Sequence, residues 1–211
     1  MSINNLTNLE ELENISQIIK KSKIQELDIK GKCFFNCNEK DINEEKLEFV
    51  NCKFQNCKLE NTQILYSNFS NIIFENCDFS NCNFNNSSFI NAEFINCRLI
   101  GSNLSESVIM NVKIEESNLS YANLSNCKMK DVEINNSNLE VCSMNESNLS
   151  KVRFIKNNFK EAQFFKTNLN KMDVTSCNIE GIVLDINGLK GMIVNEFQAM
   201  ELSKLLGIII K

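Results

Sequence analysis

The sequence predicts an all-β solenoid: a quadrilateral β-helix, with a capping helix at its N-terminal end and a helix plus short strand at its C-terminal end. Three observations predict it. Large apolar residues recur every five positions, small residues recur two positions before them, and asparagine is in excess, with 36 among 211 residues.

The large register starts at Phe49 and runs through Phe54, Leu59, Ile64, Phe69 and Phe74 to Leu184 and Leu189 without a change of phase. The small register holds Cys52, Cys57, Thr62, Ser67, Ile72 and Cys77, and as far as Ile182 it stays small or β-branched except at Asn157 and Met172. An α-helix turns about 100° per residue, so a step of five scatters these side chains around its axis. A straight strand alternates faces, so an odd step sends every second large residue to the wrong side. A chain that turns a corner once per five residues satisfies both registers. Each unit points one small and one large side chain inward, and Asn and Ser make the corner. Four corners close a coil of twenty residues, and residues twenty apart stack about 4.8 Å apart. From Phe49 to Leu189 that gives about seven coils and a rod of roughly 34 Å.

Units such as Ala122-Asn123-Leu124-Ser125-Asn126, Ser102-Asn103-Leu104-Ser105-Glu106 and Ser147-Asn148-Leu149-Ser150-Lys151 resemble the pentapeptide-repeat motif A(D/N)LXX. The resemblance covers about two thirds of the chain. It implies that the four-sided helix is right-handed.

Residues 1–48 are expected to form an N-terminal cap. Thr7 and Glu10 offer a capping box, and Leu9, Leu12, Ile15, Ile18 and Ile19 follow at helical spacing, which predicts a helix near 8–22. Ile24, Ile29 and Phe34 fall in the five-residue phase and suggest an early coil, whereas the charged residues 38–46 read as a loop. Residues 49–190 are the solenoid. In 191–211, Asn195 and Gln198 offer a second cap, followed by an apolar-rich short helix, Gly207 as its stop, and Ile208–Ile210 as a strand. The segment resembles the module through which Qnr-type and MfpA-type members form tail-to-tail dimers. The resemblance implies a homodimer through Phe197, Met200, Leu202, Leu205, Leu206, Ile208 and Ile210. The residues alone also allow a cap folded on the last coil.

The ten cysteines read as small core hydrophobes. Eight of them, Cys52 to Cys177, sit in the small register, Cys37 shares its phase, and Cys33, off the register, is the candidate exposed thiol. A stacked column neither converges on a metal tetrahedron nor reaches disulfide spacing. Without histidine, and with an apolar interior, no nucleophile–base pair or carboxylate pair emerges, so no catalytic residues, metal or cofactor are expected. The N-terminus does not read as a secretory signal and no stretch is long enough to span a bilayer, so the expected location is the cytoplasm, with reduced thiols.

The formal net charge of −5 argues against direct nucleic-acid binding and against attachment to a membrane. Glu106, Glu115, Glu116, Asp131, Glu133, Glu140 and Glu146 make the middle acidic and form the candidate partner surface. A basic stretch follows, with Lys151, Arg153, Lys156, Lys160, Lys166 and Lys171. The leading expectation is a non-enzymatic scaffold for protein–protein interaction. The alternative follows from the resemblance: a DNA mimic that binds type II topoisomerases, DNA gyrase or topoisomerase IV, and gives quinolone tolerance. The unbroken solenoid looks more like the loop-free MfpA type than the looped Qnr type.

Overall fold

The five-residue phase becomes four stacked columns in the computed structural model, which describes residues 6–209. The strands Glu48–Gln55, Asn68–Glu75, Ser88–Ile95 and Val108–Glu115 lie parallel and in register at a spacing of twenty residues. Each bends around two sides of the square, called here the first and second. The third and fourth sides are held by short strands, Lys58–Glu60 and Gln63–Leu65, and then by single bridges such as Asp78 to Arg98 and Asn83 to Asn103.

The large register fills the interior. Phe49, Phe69 and Phe89 stack on the first side with centroids 5.1 and 4.8 Å apart. On the second side Phe34, Phe54, Phe74 and Phe94 stack at 4.7, 5.0 and 4.6 Å. Burial of rings at this spacing adds stacking to the hydrophobic gain, so each coil draws its stability from its two neighbours.

The corners explain the asparagines. From Phe49 to Leu169 the residue two after each large one lies in the left-handed region, as at Asn51 (φ 52°), Asn56 (φ 54°) and Asn61 (φ 51°). Asparagine tolerates that conformation better than other residues with a Cβ. On the third and fourth sides a second asparagine precedes the large residue. Asn83, Asn103 and Asn118 accept the backbone N–H two residues on at 3.1, 3.1 and 3.0 Å, which fixes the turn.

The small register does more than fill space. Ser87 Oγ accepts from Ser67 N at 3.0 Å and donates to Ile64 O at 3.3 Å, joining backbone groups that the corner leaves unpaired. Thiols take the donor role: Cys57, Cys77 and Cys97 reach the carbonyls of Phe34, Phe54 and Phe74 at 3.2, 3.4 and 3.4 Å. Burial pushes the Cys82 thiol up to about 12 and Cys127 up to about 11. Such groups stay protonated and inert near neutral pH.

The N-terminal end departs from the expected plan. The helix, α1, spans Ile15–Gln25 with Asn14 as its N-cap, and the expected capping residue Glu10 lies instead in a strand, Glu10–Leu12, paired with Lys32–Phe34. Ile15 and Ile19 are buried in the common core. Ile24 belongs to α1 and is 84% exposed, so the early coil contains Ile29 and Phe34 without it. Residues 38–46 are not a loop. They include two short strands, Asn38–Lys40 and Asn43–Glu45, that stack under Lys58–Glu60 and Gln63–Leu65. Their large-register positions hold Glu39 and Glu44 because no coil lies beyond them. Glu39 accepts from Ser16 N at 2.9 Å and from Ile15 N, and Glu44 pairs with Lys23. Cys33 is 8% exposed, so the thiol expected to be exposed is buried, and burial pushes its pKa up.

At the other end two helices follow the last full coil, α2 (Ile186–Leu189) and α3 (Glu196–Ser203). The expected cap forms: Gln198 N donates to Asn195 Oδ1 at 2.9 Å and Asn195 N to Gln198 Oε1 at 3.0 Å. Gln198 Nε2 then reaches the carbonyls of Val174 and Cys177, both at 2.7 Å. A 3₁₀ turn, Lys204–Leu206, ends at Gly207, which adopts φ 72°. Ile208 and Ile209 form no strand, and Ile210 lies outside the described residues.

Candidate interaction surface

Two surfaces were legible in the sequence, the acidic middle and the apolar C-terminal segment. The coil separates the acids. Because one coil takes twenty residues, neighbours in sequence land on different sides. Glu106 and Glu146 occupy one corner column, with Asn126 between them, while Glu116 and Asp131 sit on two other corners. Glu115 and Glu133 lie on the second side and Glu140 on the third. Four of the seven have cationic partners. Glu115 meets Lys113 at 2.6 Å, Glu146 meets Lys166 at 3.4 Å, Asp131 meets Lys151 at 3.7 Å, and Glu133 pairs with Arg153. The hydrogen bond from Lys113 to Glu115 pushes the lysine's pKa up. These seven acids are spread over several sides and corners.

The apolar segment stays largely together. Phe197 is 74% exposed, and Met200, Leu205, Leu206 and Ile208 are also open to solvent. Leu202 is buried against the last coil, on the opposite face of α3. Val183, Ile186 and Ile193 add exposed apolar area at the same end. Sequence reasoning missed these three because Val183 and Ile193 alternate with core residues and Ile186 occupies a corner position. The ten thiols are all buried and unpaired, and no group of three metal-ligating side chains gathers among the described residues. No helix is long and apolar enough to cross a membrane among those residues.

The chain belongs to the pentapeptide-repeat family. The family model described as a pentapeptide repeat region matches residues 47–124, and that described as pentapeptide repeats (8 copies) matches 107–145 and 142–181. The solenoid is therefore that family's right-handed quadrilateral β-helix. Among solved structures, the chain is similar to a trypsin-treated variant of QnrB1, a plasmid-mediated fluoroquinolone resistance protein, at 24% identity over 87% of this chain and 91% of that one, with a TM-score of 0.43. It is also similar to HetL, a pentapeptide-repeat protein involved in heterocyst differentiation regulation in the cyanobacterium Nostoc sp., at 15% identity over 86% and 94% of the two chains, with a TM-score of 0.35. Rfr23 from the cyanobacterium Cyanothece gives 15% identity, coverage of 86% and 100%, and a TM-score of 0.31. A search of curated proteins finds no match.

Proposed function

We propose that this protein is a non-enzymatic scaffold for protein–protein interaction and that it works as a homodimer joined through its C-terminal end. The observation that carries the reading is the set of Phe197, Met200, Leu205, Leu206 and Ile208, all exposed at the C-terminal end of the rod. Contiguous apolar surface of this kind marks an association site. A closed two-fold pairing would bury it and leave the sides of both rods free for partners. The acids, dispersed over several sides and mostly paired with cations, favour this reading over duplex mimicry, in which a continuous negative stripe would face a topoisomerase.

Sedimentation velocity tests the dimer. The full chain is expected to sediment as a dimer at micromolar concentration, and the Phe197→Glu/Leu206→Glu variant as a folded monomer. A monomeric wild-type chain would sink the reading. A gyrase supercoiling assay tests the alternative. The scaffold reading expects neither inhibition nor protection from a fluoroquinolone, and either effect would move the assignment to topoisomerase binding.

A further inference from the structure

Four of the ten cysteines share one inward column. Cys37, Cys57, Cys77 and Cys97 follow at intervals of twenty residues, and no other cysteine of the chain stands twenty residues from another. All four are buried. The backbone holds them in register: the N–H groups of Lys58, Asp78 and Arg98 donate to the carbonyls of Cys37, Cys57 and Cys77 at 2.7, 2.8 and 2.9 Å. The sulfurs repeat as the coil repeats. Sγ of Cys57, Cys77 and Cys97 lies 3.2, 3.4 and 3.4 Å from the carbonyl of Phe34, Phe54 and Phe74 in the coil before. Cys37 Sγ lies 3.6 Å from the carbonyl of Leu12, the residue paired with Phe34.

The step between these sulfurs is too long for one bond and right for another. Coils stack about 4.8 Å apart. In the same four coils the rings of Phe34, Phe54, Phe74 and Phe94 follow at 4.7, 5.0 and 4.6 Å. A disulfide needs its Cβ atoms near 3.8 Å, so the column does not close on itself. Zinc asks for four ligands around a tetrahedron, which a straight column does not supply. A metal–thiolate bond is about 2.3 Å, so an ion held in line between two sulfurs needs them about 4.6 Å apart. One coil step is close to that distance without movement of the backbone.

The interior sets the charge of such an ion. Net charge is costly in an apolar core. A monovalent ion that takes the place of one thiol proton leaves the charge of the core unchanged. Thiolate is a soft ligand, and softness selects Cu(I). The sulfurs of the column also act on each other: hydrogen bonding with Cys37 and Cys77 pulls the Cys57 thiol down, and hydrogen bonding with Cys77 pulls Cys97 down. Isolated thiols behave differently. Cys82 stacks between Thr62 and Ser102, Cys127 between Ser107 and Ser147, and burial pushes both up.

We propose that this column binds Cu(I), taking two ions in line, one between Cys37 and Cys57 and one between Cys77 and Cys97. In each pair one thiol loses its proton and its sulfur bonds to the ion. The sulfur of the other thiol donates a lone pair as the second ligand. One proton leaves for each Cu(I) that enters, and no electron changes hands. Four sulfurs enclose three gaps, but an ion in the middle gap would share its sulfurs with both neighbours, so two ions fill the column. The column ends at Cys37, where Leu12 lies over the sulfur and α1 closes the coil, so loading waits on local opening of that end. The site is at the opposite end of the rod from the apolar C-terminal surface, and it stands whether the rod is monomer or dimer.

The test is native mass spectrometry of the full chain, refolded or equilibrated without oxygen in Cu(I) buffered by bathocuproine disulfonate. Two coppers are expected, each replacing one proton in the mass. Cys57→Ser/Cys77→Ser takes one sulfur from each pair, and serine already fills this column at Ser117 and Ser137. Its competition with the chelator is expected to weaken about ten-fold or more, roughly 1.4 kcal/mol. Cys82→Ser/Cys127→Ser removes as many thiols from outside the column and is expected to bind like the unaltered chain. Loading is expected to raise the melting temperature, since the ion is held by the folded state. The proposal is overturned by no bound copper, by undiminished binding in Cys57→Ser/Cys77→Ser, or by an equal loss in Cys82→Ser/Cys127→Ser. A lowered melting temperature on loading also overturns it, because the copper would then be held by the unfolded chain. Should Cys57→Ser/Cys77→Ser fail to fold, the count of coppers and displaced protons and the second variant still decide.

Discussion

The two ends of the rod are closed by different chemistry. At the N-terminal end the last coil turns carboxylates inward, and α1 meets them with its own N–H groups and Lys23, while Ile15 and Ile19 complete the core. At the C-terminal end Gln198 and Leu202 close the interior, but α3 keeps Phe197 and Met200 outward, and Leu205, Leu206 and Ile208 continue the exposed surface. A solenoid must hide the open edges of its terminal coils or aggregate. At the N-terminal end α1 covers the first coil with Ile15 and Ile19, although its Ile24 stays exposed. The C-terminal end hides its backbone and displays the larger set of apolar side chains.

The largest expected effect separates core closure from surface. Ile19→Ala removes a fully buried side chain at the sealed end and should cost about 2–5 kcal/mol. At roughly 2–4 °C per kcal/mol for a chain of this size, a thermal melt should shift by several degrees or more. Leu206→Ala removes a side chain that is 52% exposed, and within one chain it should cost less than about 0.5 kcal/mol. Melts read at low concentration keep self-association from masking the difference. Equal shifts would mean that the C-terminal residues are part of the monomer's core.

The caps give a smaller contrast. Glu39→Ala removes a charged acceptor from the first turn of α1 and should cost about 1.5–3 kcal/mol, whereas Asn195→Ala removes a neutral cap worth about 1 kcal/mol. Urea titrations that ranked them the other way would show that α1 is the weaker seal.

What could be read from the sequence follows the same division. Where coil stacks on coil, each inward position answers to the same geometry, so the phase from Phe49 to Leu184 announces the interior directly, and Asn51, Asn56 and Asn61 announce its corners. Residues 39 and 44 answer to a helix instead of a coil. Their glutamates keep the phase but break its polarity, and a reading based on apolar period takes them for a loop. Thr7 and Glu10 carry the right residues for a cap, yet pairing of Glu10–Leu12 with Lys32–Phe34 claims that stretch as strand, and Asn14 takes the role. The acidic candidates suffer from the opposite problem. Linear sequence shows a cluster, whereas coil geometry spreads it over several sides. The missing backbone ladder between Asn148–Ile155 and 168–175 among the described residues left almost no linear trace apart from Met172 and Asn157, which break the small register.

That seam predicts which end opens first. Cys33 and Cys37 lie at the sealed end and Cys177 in the coil beyond the gap, all three buried. Burial holds the Cys33 and Cys177 thiols above their usual range, so neither reacts as a thiolate while folded, and labelling must wait for local opening. Opening the C-terminal coil breaks no backbone ladder on two of its sides, since none joins Asn148–Ile155 to 168–175, whereas opening the N-terminal end must expose Ile15 and Ile19. N-ethylmaleimide labelling followed by peptide mass spectrometry should therefore find Cys177 modified about ten-fold faster than Cys37, corresponding to roughly 1.4 kcal/mol of opening free energy when opening and closing are fast. The dimer sharpens the result: a concentration series should slow Cys177 and leave Cys37 unchanged if the C-terminal face is covered by a second copy. Faster labelling at Cys37 would reverse the assignment of the sealed and open ends.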